Sequence, residues 1–266
     1  MDPDDNEKTA FSTPTGHFHF KRMPFRFKSA PATFQRAMTR ILTGLQGIKC
    51  LVYLDVIIIF GRNWLDHNNK QQDVFKSLRE FNLKIKPEKS NFLHKEIMFL
   101  GHIIGEDGIK PNPVKIKTVN AYPAPTNVKQ LQTFLGLANY YRKFINNFSK
   151  IVSPITYLLK KDVPFLWTEE CENAFTTLKT KLTTYPILQH PDFTKLFLLT
   201  VDGSGKALGA ILSQGKVGQD LPVSYVSRIL NKAEQNYSTI EKEPLVVVWG
   251  TKTFRSYLLG RHYFRS

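Results

Sequence analysis

Residues 52–60 read VYLDVIIIF, an apolar run broken by a single carboxylate, Asp55. An aspartate in such a run either serves a turn or holds something. Carboxylates that hold divalent cations work in sets, because a hard cation needs several oxygen ligands. The chemistry open to Asp55 therefore depends on which other oxygens reach it. A different chemistry is offered by Tyr140, Tyr141, Arg142 and Lys143, two aromatics followed by two cations. That grouping suits stacking on bases and pairing with phosphates. It equally suits a half-buried helix edge whose cations are solvated. GSGK at 203–206 is a hairpin turn by its surroundings, not a phosphate-cradling loop.

The elements that must place these residues can be read from periodicity. GHFHFKRMPF alternates aromatic with polar or basic residues and predicts a strand. SAPATFQRAMTRILTGL predicts a helix, with Ser29 as cap, Pro31 in the first turn, and Phe34, Met38, Ile41 and Leu42 on one face. Gly44 and Gly47 end it. KCLVYLDVIIIF predicts a tight hairpin turning at Leu54 and Asp55. LDHNNKQQDVFKSLREFNL follows as an amphipathic helix anchored by Leu65, Val74, Phe75 and Leu78, and NFLHKEIMFLGHIIGEDGIKPN as two strands turning at EDG. The composition changes between Pro111 and Pro125. Thr126 or Asn127 then caps a helix through VKQLQTFLGLANYYRKFI, and two more helical stretches follow, around IVSPITYLLKK and TEECENAFTTLKTKL. The last third returns to strands in KLFLLTVDGSGKALGAILSQ and PVSYVSRIL. A final helix opens at Ser238, with Glu241 placed for a capping box. The fold class is α+β, in three parts: residues 1–117, 118–190 and 191–266.

The chain has 266 residues, 42% hydrophobic and 22% charged, which excludes a disordered or low-complexity protein. Its net charge of +15 favours polyanionic partners, nucleic acid first and acidic membrane surfaces second. Two cysteines, Cys50 and Cys171, make neither a disulfide framework nor a zinc pattern. With the acidic, polar start MDPDDNEKTA, this predicts a cytoplasmic or nuclear chain that is not secreted. No apolar run reaches the ~20 residues of a membrane span.

Ten segments, in this order, carry a resemblance: FSTPTGHF, MPFRFKSAPATFQR, VYLDVIIIF, FLGHII, DGIKPNP, FLGLANYYRKFI, PFLWTEECENAF, SQGKVGQDLP, LNKAEQNYSTIEKE and YLLGR. Together they resemble the pol polyprotein of Gypsy-type LTR retrotransposons over essentially the whole chain. The resemblance implies a partial reverse transcriptase palm, a helical thumb or connection, and an RNase H-like α/β domain. It implies RNA-directed DNA polymerase and RNase H chemistry, each run by two Mg2+ or Mn2+ ions on carboxylates. The implied partners are an RNA–DNA hybrid or primer–template, and other chains derived from pol.

The resemblance also shows where this sequence departs from the family. The family's hairpin reads Tyr-x-Asp-Asp; here Tyr53, Leu54 and Asp55 match, and Val56 stands where the second aspartate belongs. The family's earlier catalytic strand precedes the first matching residues, so Asp55 is expected to be a remnant. Arg26 replaces a glycine that lets backbone approach the nucleotide, and brings bulk and charge to that place. Lys28, Gln35 and Tyr53 are implied to line the same substrate site, and His102 to lie near the primer strand. In the RNase H-like part Asp202 matches the first metal carboxylate and Glu243 the second. Glu241 and Glu243 sit about 200° apart on a helix, so only one can face Asp202. The family's later carboxylates fall beyond YFRS. Pro244 interrupts the same helix, where an interior proline costs about 3 kcal/mol. The expectation is an inactive reverse transcriptase–RNase H chain with incomplete metal sets at Asp55 and at Asp202 and Glu243. The alternative is a non-catalytic module that binds RNA–DNA hybrid.

Overall fold

The computed structural model describes residues 3–24, 27–260 and 263–265. The chain divides into two compact units, with the boundary between Phe92 and Leu93.

The first unit opens with a short hairpin, β1 (Phe11–Thr13) and β2 (Gly16–Phe18), in register Thr13 with Gly16. Helix α1 (Ala30–Ile41) follows. Contrary to the sequence expectation, Ser29 does not cap it; its backbone is already helical and its hydroxyl makes no capping bond. Gly44 and Gly47 close the helix at φ 78° and 80°, a conformation glycine adopts without a Cβ penalty. Strands β3 (Cys50–Tyr53) and β4 (Val56–Ile59) form the expected two-residue hairpin, Tyr53 opposite Val56. Helix α2 (Trp64–Glu80) packs behind it, capped by the Asn63 side chain on Asp66 N–H. Met38 of α1 and its C-cap residue Leu42, Val74 and Leu78 of α2, and Cys50 and Val52 of β3 are buried together. Leu65 is not part of this core: it sits on the solvent side of the first turn of α2, 67% exposed.

The second unit starts with an antiparallel meander of β5 (Ile97–Phe99), β6 (His102–Gly105) and β7 (Gly108–Pro111), one strand more than the sequence pattern gave. Four helices follow: α3 (Pro113–Asn120), α4 (Val128–Tyr140), α5 (Phe148–Tyr157) and α6 (Glu169–Thr183). Asn127 caps α4 through Gln130 N–H, and Thr168 caps α6 through Cys171 N–H. The helices enclose a core around Leu131, Phe134, Ile155, Leu178 and Leu182, all fully buried.

A four-stranded sheet completes the unit in the order β10 (Leu221–Ile229), β9 (Ala207–Gln214), β8 (Phe197–Gly203), β11 (Tyr263–Arg265). The first three strands are antiparallel and β11 runs parallel to β8. Two short helices, α7 (Lys232–Gln235) and α9 (Arg255–Leu258), flank the long helix α8 (Thr239–Thr253). Phe197 and Leu199 of β8, with Ala210 and Leu212 of β9, pack against Phe254 and Leu258. The register places Asp202, Gly209 and Ser227 side by side on the opposite face. There Tyr225 packs into the helical core. Arg228 and Glu234 tie β10 to α7, and the guanidinium, with the Asn231 N–H, holds the Glu234 carboxyl down to about 2. No helix among the described residues is long and apolar enough to cross a membrane.

Candidate functional site

The hairpin of β3 and β4 presents Asp55 at its tip. Leu54 takes φ 52°, in the left-handed region that a tight two-residue turn requires. What holds it there is Gln35 on α1. Its Oε1 accepts from Leu54 N–H at 2.6 Å, and its Nε2 donates to the Val52 carbonyl at 3.4 Å. The Gln35 amide thus braces the hairpin backbone on both sides of the turn. Strand register sends Cys50, Val52, Ile57 and Ile59 to the core side and leaves Leu51, Tyr53 and Val56 on the open side. Tyr53 and Lys28 are exposed, as a substrate-facing role needs. Arg26 lies outside the described residues. Val56 occupies the open face beside Tyr53 with two methyl groups and no oxygen.

The second acidic place lies at the end of β8. Asp202 and Glu243 line one cleft, together with Ser204, Thr239 and Lys242. Glu241 points elsewhere: its carboxylate accepts from Ser238 N–H at 2.8 Å and from the Ser238 hydroxyl at 2.8 Å. These bonds hold its carboxyl below the usual range and complete the capping box that the sequence predicts. Helix α8 continues through Pro244, so the ring stands inside the helix and removes one backbone donor. The Lys242 ammonium donates to the Gln235 carbonyl at 3.0 Å. One partner of Asp202 has no counterpart in the sequence reading. Asn147 Nδ2 donates to Asp202 Oδ2 at 3.2 Å from the entrance of α5. Its only sequence signal is weak: an asparagine before a helix reads as a cap.

Among the described residues no group of three His, Cys, Asp or Glu side chains comes together to hold a metal ion. Asp55 has no neighbouring carboxylate in its turn, and Asp202 has Glu243 alone. A pair of divalent ions bridging attacking and leaving oxygens needs more anionic ligands than either place offers. The described residues therefore do not fit the two-metal centre that the resemblance implies.

The aromatic and basic cluster is partly built into the fold. Tyr141 is 2% exposed and donates its hydroxyl to the Gly101 carbonyl at 2.8 Å. Arg142 Nη2 donates to the Ser227 carbonyl at 3.0 Å, fastening the helical part to β10. Lys143 is half-buried with its ammonium over the Phe144 ring, and burial pushes its pKa down. The Tyr141 ring is buried and not open to stack on a base, whereas Arg142 stays exposed with one N–H donor placed on Ser227. Tyr140 is half-exposed, with its hydroxyl on the Leu100 carbonyl and its ring stacked on His102 at 5.4 Å.

His102 is walled by Tyr140, Tyr141 and Phe144. Its Nδ1 lies 2.7 Å from the Leu100 carbonyl. A carbonyl only accepts, so Nδ1 carries the proton, and Nε2 is buried without a partner. Burial lowers the His102 pKa and the Lys143 charge lowers it further, against the Leu100 bond. The unfolded chain then binds more protons than the folded one between the folded pKa and about 6.5, so stability falls as pH drops through that window. Urea midpoints should decline from pH 7 to pH 5, at most about 1.4 kcal/mol per pH unit for this one proton. A His102→Asn chain should show a flatter profile.

Residues 1–104 match the family model for reverse transcriptase (RNA-dependent DNA polymerase), and residues 167–264 match that for the RNase H-like domain found in reverse transcriptase. The class is therefore a reverse transcriptase followed by an RNase H-like domain. Over its whole length the chain is similar to the retrovirus-related Pol polyproteins of gypsy-type transposons. It is 52% identical to the Pol polyprotein from transposon 297 of Drosophila melanogaster, over 99% of this chain and 25% of that protein. It is 43% identical to the Pol polyprotein from transposon opus of the same organism, over 98% of this chain and 27% of that one. The chain thus spans about a quarter of the length of these relatives. Among solved structures, the foamy viral protease-reverse transcriptase dRH in complex with double-stranded DNA superposes with a TM-score of 0.87 at 24% identity. It covers 100% of this chain and 46% of that chain. The foamy viral protease-reverse transcriptase in complex with RNA/DNA hybrid gives a TM-score of 0.83, covering 100% and 36%. These likenesses bear out the α+β fold.

Proposed function

We propose that this stretch of Pol is catalytically silent as a DNA polymerase. In this reading residues 1–117 are its partial palm, 118–190 its thumb-like connection and 191–266 its RNase H-like domain. The observation that carries the proposal is Val56 beside Asp55: the hairpin keeps its geometry, held by Gln35, and lacks the second carboxylate. Charge stabilisation of this kind is worth several kcal/mol, and each 1.4 kcal/mol is about tenfold in rate. The RNase H-like cleft is read the same way, with Asp202 and Glu243 as the remaining pair and Pro244 in the helix that carries the glutamate. Mg2+ or Mn2+ primer extension by the purified chain should not exceed a mock preparation, and neither should cleavage of RNA in a hybrid. Extension that vanishes with chelator would refute the polymerase half of this reading.

A second reading is favoured by the net charge of +15. The chain binds an RNA–DNA hybrid or primer–template without turning it over, as its fold relatives were solved holding double-stranded DNA and RNA/DNA hybrid. Fluorescence anisotropy on hybrid and on duplex DNA tests it.

A further inference from the structure

We propose that Asn147 is a positioning residue for Asp202, and that Gly209 is the seat that admits it. Asn147 occupies the N-cap position of α5 and does not cap it: its side chain makes no bond to that helix. An asparagine there ordinarily accepts from a backbone N–H two or three residues on. Asn147 instead takes the left-handed conformation, φ 56° and ψ 30°, which asparagine tolerates better than most residues. That turns the amide onto the sheet face where Asp202, Gly209 and Ser227 lie side by side. The amide then divides its work. Nδ2 donates to Asp202 Oδ2 at 3.2 Å, the only sense possible because an ionised carboxylate accepts and does not donate. Oδ1 lies over Gly209, so close that a Cβ at that position would fall 2.6 Å from it.

The approach is fixed from both sides. Two residues further on, the Ser149 N–H donates to Ser227 Oγ at 2.8 Å, and Ser149 Oγ donates to the Ser227 carbonyl at 2.8 Å. The entrance of α5 is thus pinned to β10, and Asn147 reaches across β9 to the end of β8. The bond orients the Asp202 carboxylate by holding one oxygen. The helical part and the acidic cleft therefore share one side chain, and displacement of α5 displaces Asp202. The importance of this contact for chemistry rests on reading Asp202 as the first metal carboxylate of the family. The contact itself does not.

The test is a double-mutant cycle on the full chain with Asn147→Ala and Asp202→Ala, read by thermal midpoint, alongside the side-chain amide resonances of Asn147. Each single change should lower the midpoint by about 2–4 °C, the shift typical of losing one charge-assisted hydrogen bond in a chain of this size. The double variant should fall no further than the worse single one. The Asn147 Nδ2 protons should be resolved and should move in Asp202→Ala and not in Glu243→Gln. Gly209→Ala should shift the same resonances while Asp202 is intact. Additive midpoints, or an Asn147 amide that ignores the Asp202 change, would overturn the proposal. Neither outcome bears on primer extension, so the two readings fail separately.

Discussion

Gly108→Ala should lower the thermal midpoint of the second unit by roughly 6 °C or more, the largest effect expected from adding one methyl group. Gly108 opens β7 at φ 130°, a conformation that L side chains rarely adopt. A Cβ there would fall 2.2 Å from the Leu188 carbonyl oxygen and 3.0 Å from Ile187 Cγ2. The nearer neighbour is backbone and is already committed. Leu188 exchanges both bonds with Ile109, N–H to carbonyl at 2.8 and 3.1 Å. That bridge joins the meander to the segment that leads into the sheet. The variant must therefore strain its own backbone, at about 1–3 kcal/mol, and also push the bridge apart. In a chain of this size each kcal/mol moves the midpoint about 2–4 °C. Differential scanning calorimetry checks the value. Hydrogen exchange at the Ile109 and Leu188 amides checks the cause, because both should lose protection together. A midpoint within 2 °C of the parent, with both amides still protected, would show that the bridge tolerates the methyl group.

Local rules made much of this fold legible. The hairpin at Leu54 and Asp55, the glycine stops at Gly44 and Gly47, the Asn127 cap and the Ser238–Glu241 box each follow from a few adjacent residues, and each is present. Misreadings arose where a backbone conformation or a distant partner leaves no local signal. Ser29 looks like a cap because serines cap helices, and nothing local says that its backbone is already helical. Tyr141 looks like part of a nucleic-acid surface because it adjoins Tyr140 and Arg142. Its partner, Gly101, lies 40 residues away. The same holds at the acidic places. Val56 shows in the sequence as a missing oxygen, but that Gln35 holds the turn open from another element does not. Asn147 is the plainest case, since its sequence context signals a cap and its side chain serves a strand 55 residues on.

Raising salt from 50 to 200 mM should weaken binding to a short RNA–DNA hybrid by about a thousandfold if six phosphates are neutralised, and by more if the number is larger. The charge supports such a count. With 37 lysines and arginines against 22 aspartates and glutamates, the excess of +15 cannot be paired internally. Part of the remainder is committed to structure, as Arg142 on Ser227 and Arg228 on Glu234 show. Lys21, Arg22 and Lys28 in the first unit are exposed, as are Lys115, Lys117 and Lys129 in the second. Each contact releases condensed counterions, so the slope of log affinity against log salt counts phosphates, whatever the sequence of the probe. The comparison that assigns meaning is duplex DNA of equal length. A-form helices are read by shape and by the 2′-hydroxyl, neither of which salt screens. A hybrid preference that persists at 200 mM would mean that a shaped surface survives the loss of the second hairpin carboxylate. Equal affinities that vanish together would mean that charge alone is left. Binding that does not respond to salt would refute the phosphate reading, because every phosphate contact releases counterions and must show in the slope.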